Sequence, residues 1–118
     1  MLPIRTVVCP LDFSEPSRKA LDAAVELATQ FDAELVLVHV VPPAVRAIPV
    51  DPSFAFTETE EYENTVRVNA EEELTLAAQR IPPELKSRKV IGTGDAADEI
   101  ARIAETESAD LIVISTHG

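Results

Sequence analysis

The chain has 118 residues, enough for one domain with a hydrophobic core, and its many aliphatic and few aromatic residues suit a helix-covered sheet. Its formal net charge of −11 opposes binding to nucleic acid, whose phosphates are also negative. No apolar run reaches the roughly 18 residues of a membrane span, and the N-terminus lacks a signal-peptide pattern. We therefore expect one cytoplasmic domain over residues 1–118 that binds neither nucleic acid nor a membrane.

The first predicted strand, Ile4 to Leu11, ends beside an acid. Pro10 has no N–H to donate to a sheet, so the strand must end there. Ser14 is a good N-cap for a helix that runs to Phe31. The carboxylate of Asp12 therefore lies between a strand end and a helix start, where open α/β sheets bind ligands. The alternative is that Asp12 merely helps to cap the helix.

The second predicted strand, Ala33 to Val41, has an unbroken apolar centre that indicates burial on both faces and hence a parallel sheet. His39 lies in this strand, and we expect it to pack and hydrogen-bond at the sheet end rather than to bind a ligand. The proline-rich residues 42–56 are predicted to form a long irregular loop, typically a functional lid or mobile segment. A helix with a solvated acidic face is predicted from Thr57 to about Arg80.

The third predicted strand, Leu85 to Ile91, is more polar and suits a sheet edge. Asp95 is the expected N-cap of the helix that follows, and Asp110 to Ser115 is the fourth strand. Strands that alternate with helices form βαβ units, whose crossovers are right-handed. The fold class is therefore α/β, an open parallel sheet with helices on both faces.

Familiar catalytic motifs do not explain this chain. The run Gly92-Thr93-Gly94-Asp95-Ala96-Ala97 fits a loose G-x-G-x-x-A dinucleotide motif, but it follows the third strand rather than the first. A tight turn and a helix cap explain both glycines. The sequence has no Walker phosphate loop, no G-x-S-x-G elbow and no Cys/His cluster with zinc spacing. Cys9 stands alone, which favours a buried reduced thiol over the alternative of a reactive one.

Several blocks together resemble the universal stress protein family, in order and at that family's spacing. They are Val8-Cys9-Pro10-Leu11-Asp12-Phe13-Ser14-Glu15-Pro16-Ser17 with Ala20-Leu21, then Leu37-Val38-His39-Val40, then Gly94-Asp95 with Glu99-Ile100, and finally Ala109-Asp110-Leu111-Ile112-Val113 with Ser115-Thr116-His117-Gly118.

The resemblance implies a sheet of order 3-2-1-4-5, of which this chain supplies 3-2-1-4, together with homodimers and, in one branch, ATP accompanied by Mg²⁺. It implies adenine and ribose against Pro10, Leu11 and Asp12 at the first strand end and Val40 at the second. The family's phosphate motif G-x2-G-x9-G-[ST] follows the fourth strand. Here Ser115 replaces its first glycine, Gly118 matches the second, and His117 lies between them.

The rest of that motif would follow Gly118. We therefore expect a further helix and edge strand of roughly 25 to 30 residues after it. The resulting hypothesis is an adenine-nucleotide-binding regulatory protein of the stress response. One alternative is a nucleotide-free dimeric interaction module of the same fold. Another is an enzyme, such as a slow ATPase, for which Asp12 and His117 are the visible candidate bases.

Overall fold

The computed structural model describes residues 3–43 and 52–115, and for residues 52–60 it describes the backbone alone. Strands and helices alternate along this part of the chain, as the apolar patterns predict. The elements are β1 (Thr6–Pro10), α1 (Glu15–Phe31), β2 (Glu34–Val41), α2 (Pro52–Ala78), β3 (Ser87–Thr93), α3 (Ala96–Thr106) and β4 (Leu111–Ile112).

The four strands form one parallel sheet in the order β3-β2-β1-β4, which confirms the predicted order of these strands. β1 is central: Val8 pairs with Val36 of β2 on one side and with Ile112 of β4 on the other. β3 lies at the edge, as its polar sequence predicts. The chain leaves β1 toward β2 and returns to pair with β1 through β4, so a switch point lies between β1 and β4.

Helices cover both faces of the sheet. Successive side chains of a strand point to opposite faces, so Val7 and Cys9 enter one core while Val8 enters the other. α1 and α2 supply Leu21 and Leu74 to the first core. α3 supplies Ile103 to the second. Apart from Ser17, the most deeply buried side chains of the described residues lie in these two layers, which fixes the positions of the strand ends.

The turn from β1 to α1 follows the predicted chemistry. β1 ends at Pro10, and α1 begins at Glu15 with Pro16 in its first turn. Ser14 is the N-cap, and its hydroxyl oxygen accepts the backbone N–H of Ser17 at 3.3 Å. This short connection fixes Asp12 just beyond the sheet.

The prediction for residues 42–56 was wrong at its C-terminal end, because α2 begins at Pro52 rather than near Thr57. Proline suits the first helical turn, where its missing N–H would have no partner in any case, and no helix breaker follows it. Residues 44–51 of the predicted loop lie outside the described residues. In the described ranges, no helix has both the length and the apolar composition needed to span a bilayer.

The boundaries of all four strands also differ from the predicted ones. β3 begins at Ser87, two residues later than predicted, because the Leu85 N–H donates to the Pro82 carbonyl in a turn. β4 is paired only at Leu111–Ile112, although the Val113 N–H still donates to the Val8 carbonyl at 2.9 Å. Pro10 cannot supply the next N–H, so the ladder between β1 and β4 stops early.

Candidate functional site

A cleft of about 210 Å³ lies at the carboxyl ends of β1, β2 and β4, at the switch point of the sheet. Five of the seven residues predicted to bind a ligand meet there, from three separate segments of sequence. The lining residues are Pro10, Leu11, Asp12, Val38, His39, Val40, Ala96, Ile100, Ile114 and Ser115. The other two predicted site residues, His117 and Gly118, lie outside the described residues.

Asp12 is an exposed acid in the β1–α1 turn, and both interpretations of it have support. Its Oδ1 accepts the backbone N–H of Ser14 at 3.0 Å and also the Ser14 hydroxyl. The carboxylate therefore does help to organise the cap of α1. It also lines the cleft, and a carboxylate can accept several hydrogen bonds at once.

Phe13 gives this turn an unusual backbone. Its φ is +66°, in the left-handed region that bulky residues rarely adopt. The turn is fixed on its other side by the Leu11 N–H, which donates to the Val38 carbonyl at 2.7 Å. Contacts with β2 therefore set where Asp12 lies relative to the cleft.

His39 packs and hydrogen-bonds at the sheet end, as predicted. Its Nδ1 lies 2.7 Å from the carbonyl oxygen of Leu11, and its ring lies 4.4 Å from that of Phe13, centroid to centroid. The sequence interpretation missed that the same half-buried side chain also lines the cleft. The position of His39 next to Val40, at the end of β2, could have indicated that it lines the cleft.

The N-terminal part of α3 forms a wall of the cleft, and the sequence did not predict this. Ala96 and Ile100 line it, four residues apart on one helix face. Asp95 caps the helix as predicted, by accepting the Asp98 N–H at 3.1 Å. Gly94, with φ of +137°, provides the tight turn before it. The signal was that this helix starts at the carboxyl end of a strand.

The chemistry of the lining is mainly apolar, with three polar side chains among its ten residues. Asp12 is the one carboxylate among them. Glu99 lies nearby on α3, where it pairs with Arg102 at 2.8 Å, and this hydrogen bond lowers the pKa of Glu99. An apolar wall with a few placed polar groups suits a flat ring that carries hydroxyl groups.

Larger depressions lie along the groove between α2 and β3, with volumes of about 310 and 450 Å³. Arg67 lines both, and Glu63, Glu71 and Lys89 make their walls highly charged. They lie away from the switch point and contain none of the predicted site residues, so size alone does not make either the better candidate. Among the described residues, no three His, Cys, Asp or Glu side chains are grouped to hold a metal ion.

An open parallel α/β sheet with a mainly apolar cleft at its switch point defines a doubly wound α/β domain with a candidate ligand site. The family profile described as "Universal stress protein family" matches residues 3–118. The chain belongs to the universal stress protein family, which confirms the resemblance seen in its motifs.

One relative matches this chain both in sequence and in structure. Universal stress protein MJ0577 of Methanocaldococcus jannaschii is 29% identical over 127 residues, covering 97% of this chain and 77% of that protein. The solved structure of MJ0577 matches with a TM-score of 0.80 and 24% identity, over 99% of this chain and 78% of that one.

Among the similar solved structures are two with a bound nucleotide. A universal stress protein family protein from Arabidopsis thaliana with AMP bound matches with a TM-score of 0.62 and 18% identity, over 97% of this chain and 78% of that one. A universal stress protein in complex with cAMP matches with a TM-score of 0.58 and 21% identity, over 94% and 75%. At these identities, the likeness shows a shared fold.

Proposed function

We propose that this chain binds an adenine nucleotide in the switch-point cleft and acts as a regulatory protein of the stress response. The observation that carries this proposal is the convergence of Pro10, Leu11, Asp12, Val40 and Ser115 on one cleft. Relatives of the same fold that hold AMP and cAMP support it.

The nucleoside end fits the cleft in chemistry and in size. Pro10, Leu11 and Val40 offer apolar surface to a purine ring, and the Asp12 carboxylate is an acceptor for ribose hydroxyl groups. The volume of about 210 Å³ lies below the roughly 300 Å³ at which pockets typically enclose a whole drug-sized ligand. The cleft therefore suits the nucleoside, with the phosphates extending beyond it.

The phosphate end of the proposal rests on Ser115, His117 and Gly118. A small residue or glycine lets backbone N–H groups approach a phosphate closely, and ATP would bring Mg²⁺ as its companion ion. The proposal also includes a cytoplasmic homodimer.

The experiment is calorimetric titration of AMP, ADP and ATP, with and without Mg²⁺, into the wild type and Asp12→Ala. Because Asp12 lies at the nucleoside end, the variant should weaken binding of all three nucleotides by a similar factor. Loss of a hydrogen bond to a charged acceptor costs about 1.5–3 kcal/mol, or roughly tenfold to a hundredfold in affinity.

Asp22→Ala is the matched control. It removes the same charge from a carboxylate that pairs with Arg80 at 2.8 Å and does not line the cleft, so affinity should not change. An unchanged dissociation constant in Asp12→Ala would refute the assignment. A wild type that binds none of the three nucleotides would favour the nucleotide-free module. An Asp12→Ala variant that still binds ATP but no longer hydrolyses it would favour an ATPase.

A further inference from the structure

His39 makes a hydrogen bond whose direction the chemistry determines. Its Nδ1 lies 2.7 Å from the Leu11 carbonyl oxygen, which can only accept, so Nδ1 carries the proton and donates. The Leu11 N–H in turn donates to the Val38 carbonyl at 2.7 Å. Both polar backbone groups of Leu11 are therefore held by β2, immediately before Asp12.

The ring of His39 also contacts the residue after Asp12. It packs against the Phe13 ring with the centroids 4.4 Å apart and the planes tilted by 32°. Phe13 has φ of +66°, which is unfavourable for a bulky residue unless its surroundings hold it there. One side chain therefore restrains the backbone on both sides of Asp12.

The conformation of Phe13 determines where Ser14 lies, and Ser14 binds the Asp12 carboxylate through its N–H and its hydroxyl. We propose that His39 is a positioning residue for the nucleoside site, because its bond to Leu11 and its packing on Phe13 hold Asp12 in its binding orientation. This inference rests on the proposed nucleotide-binding function. It gives His39 a role distinct from direct contact with the ligand, although it lines the cleft.

The two amide variants of His39 separate these roles. The side-chain nitrogen of Asn is bonded to Cγ, as Nδ1 is in histidine, so His39→Asn retains a donor for the Leu11 carbonyl. The nitrogen of Gln lies one bond further out, so His39→Gln does not reproduce that donor but keeps a polar group facing the cleft. The wild type, both variants and His39→Ala are compared.

Two measurements are made on each protein. AMP affinity is measured by calorimetry well below the melting temperature, and exchange of the Ser14 amide hydrogen is followed by NMR without nucleotide. His39→Ala and His39→Gln should weaken AMP binding by about tenfold, the effect of one lost hydrogen bond. Both should also accelerate Ser14 exchange, and His39→Asn should restore both properties toward the wild type.

Val41→Ala is the control for general destabilisation, since Val41 is buried in the same strand but does not line the cleft. It should lower the melting temperature and leave AMP affinity and Ser14 exchange unchanged. If His39→Ala does not fold, the two amide variants still give the comparison.

Ser14 exchange that is unchanged in both His39→Ala and His39→Gln would overturn the positioning role. The positioning role would also be overturned if His39→Asn bound AMP as weakly as His39→Ala while its Ser14 amide stayed protected. In that case His39 would contact the ligand directly. If the wild type binds none of AMP, ADP and ATP, the nucleotide proposal fails, and Ser14 exchange still tests whether His39 holds the turn.

Discussion

The carboxylate of Asp110 accepts the backbone N–H of Arg5 at 2.8 Å, although 105 residues of sequence separate them. The same oxygen accepts the Thr6 N–H at 3.1 Å. These two bonds lower the pKa of Asp110, because they favour its ionised form. These hydrogen bonds of Asp110 therefore link the beginning of β4 to the beginning of β1, at the end of the sheet opposite the cleft.

Asp110→Asn should change how stability depends on pH. A carboxyl whose pKa is lowered by folding stabilises the protein above its unfolded pKa, about 3.9, and this stabilisation is lost as the pH falls through the folded value. The variant should be less stable than the wild type near neutral pH, and the difference should shrink below about pH 4. Urea midpoints measured over a pH series test this, and parallel curves for the two proteins would contradict it.

Ser14→Ala should lower the free energy of unfolding by about 1 kcal/mol, because it removes the N-cap of α1. It also removes a hydroxyl that donates to Asp12. Ser14→Asn is the matched control, since asparagine caps helices about as well as serine. Urea unfolding of both variants measures the effect, and equal losses in the two would show that capping is not the cause.

Gly94→Ala should destabilise the protein by about 1–3 kcal/mol, because φ of +137° is a conformation that an L side chain rarely adopts. Its added Cβ would also lie 3.3 Å from Glu99 Cγ. Gly92→Ala is the comparison: its Cβ would meet the ends of the Glu99 and Ile103 side chains at 3.1 Å, and these can move. Chemical unfolding should show the smaller loss for Gly92→Ala.

The Cys9 thiol should resist modification in the native protein. Its side chain is fully buried, and desolvation raises its pKa to about 12, so almost no thiolate forms at pH 8. We expect no reaction with iodoacetamide under native conditions and complete reaction in denaturant, read as a mass shift. Rapid labelling of the folded protein would restore the alternative of a reactive thiol.

Local chemistry made much of the fold predictable. Pro10 ends β1 because it lacks an N–H, and Ser14 and Asp95 cap helices because their side chains accept N–H groups; each property belongs to one residue. The βαβ pattern predicted a parallel sheet with helices on both faces. The strand order came from the family resemblance, since nothing local determines which strands become neighbours.

Features that depend on distant contacts were not predictable in the same way. Phe13 adopts a left-handed backbone although it is not a glycine, so the sequence does not indicate this conformation. Contacts with β2 hold it there. Ala96 and Ile100 reach the cleft because α3 packs beside the end of β2, which a strand-by-strand interpretation does not reveal. The start of α2 at Pro52 was not predicted for another reason, because proline suits both a loop and the start of a helix.

The central place of β1 has a consequence for the order of folding. Val8 pairs with Val36 nearby in sequence, but its other partner, Ile112, is separated from it by most of the chain. Closing so long a loop costs conformational entropy, so the β1–α1–β2 unit can assemble early, even on the ribosome, while β4 docks late. The wall formed by Ile114 and Ser115 is complete only after that step. A nascent chain in which β4 has not yet docked would therefore lack this wall of the cleft. It would bind a ligand only after β4 has paired with β1.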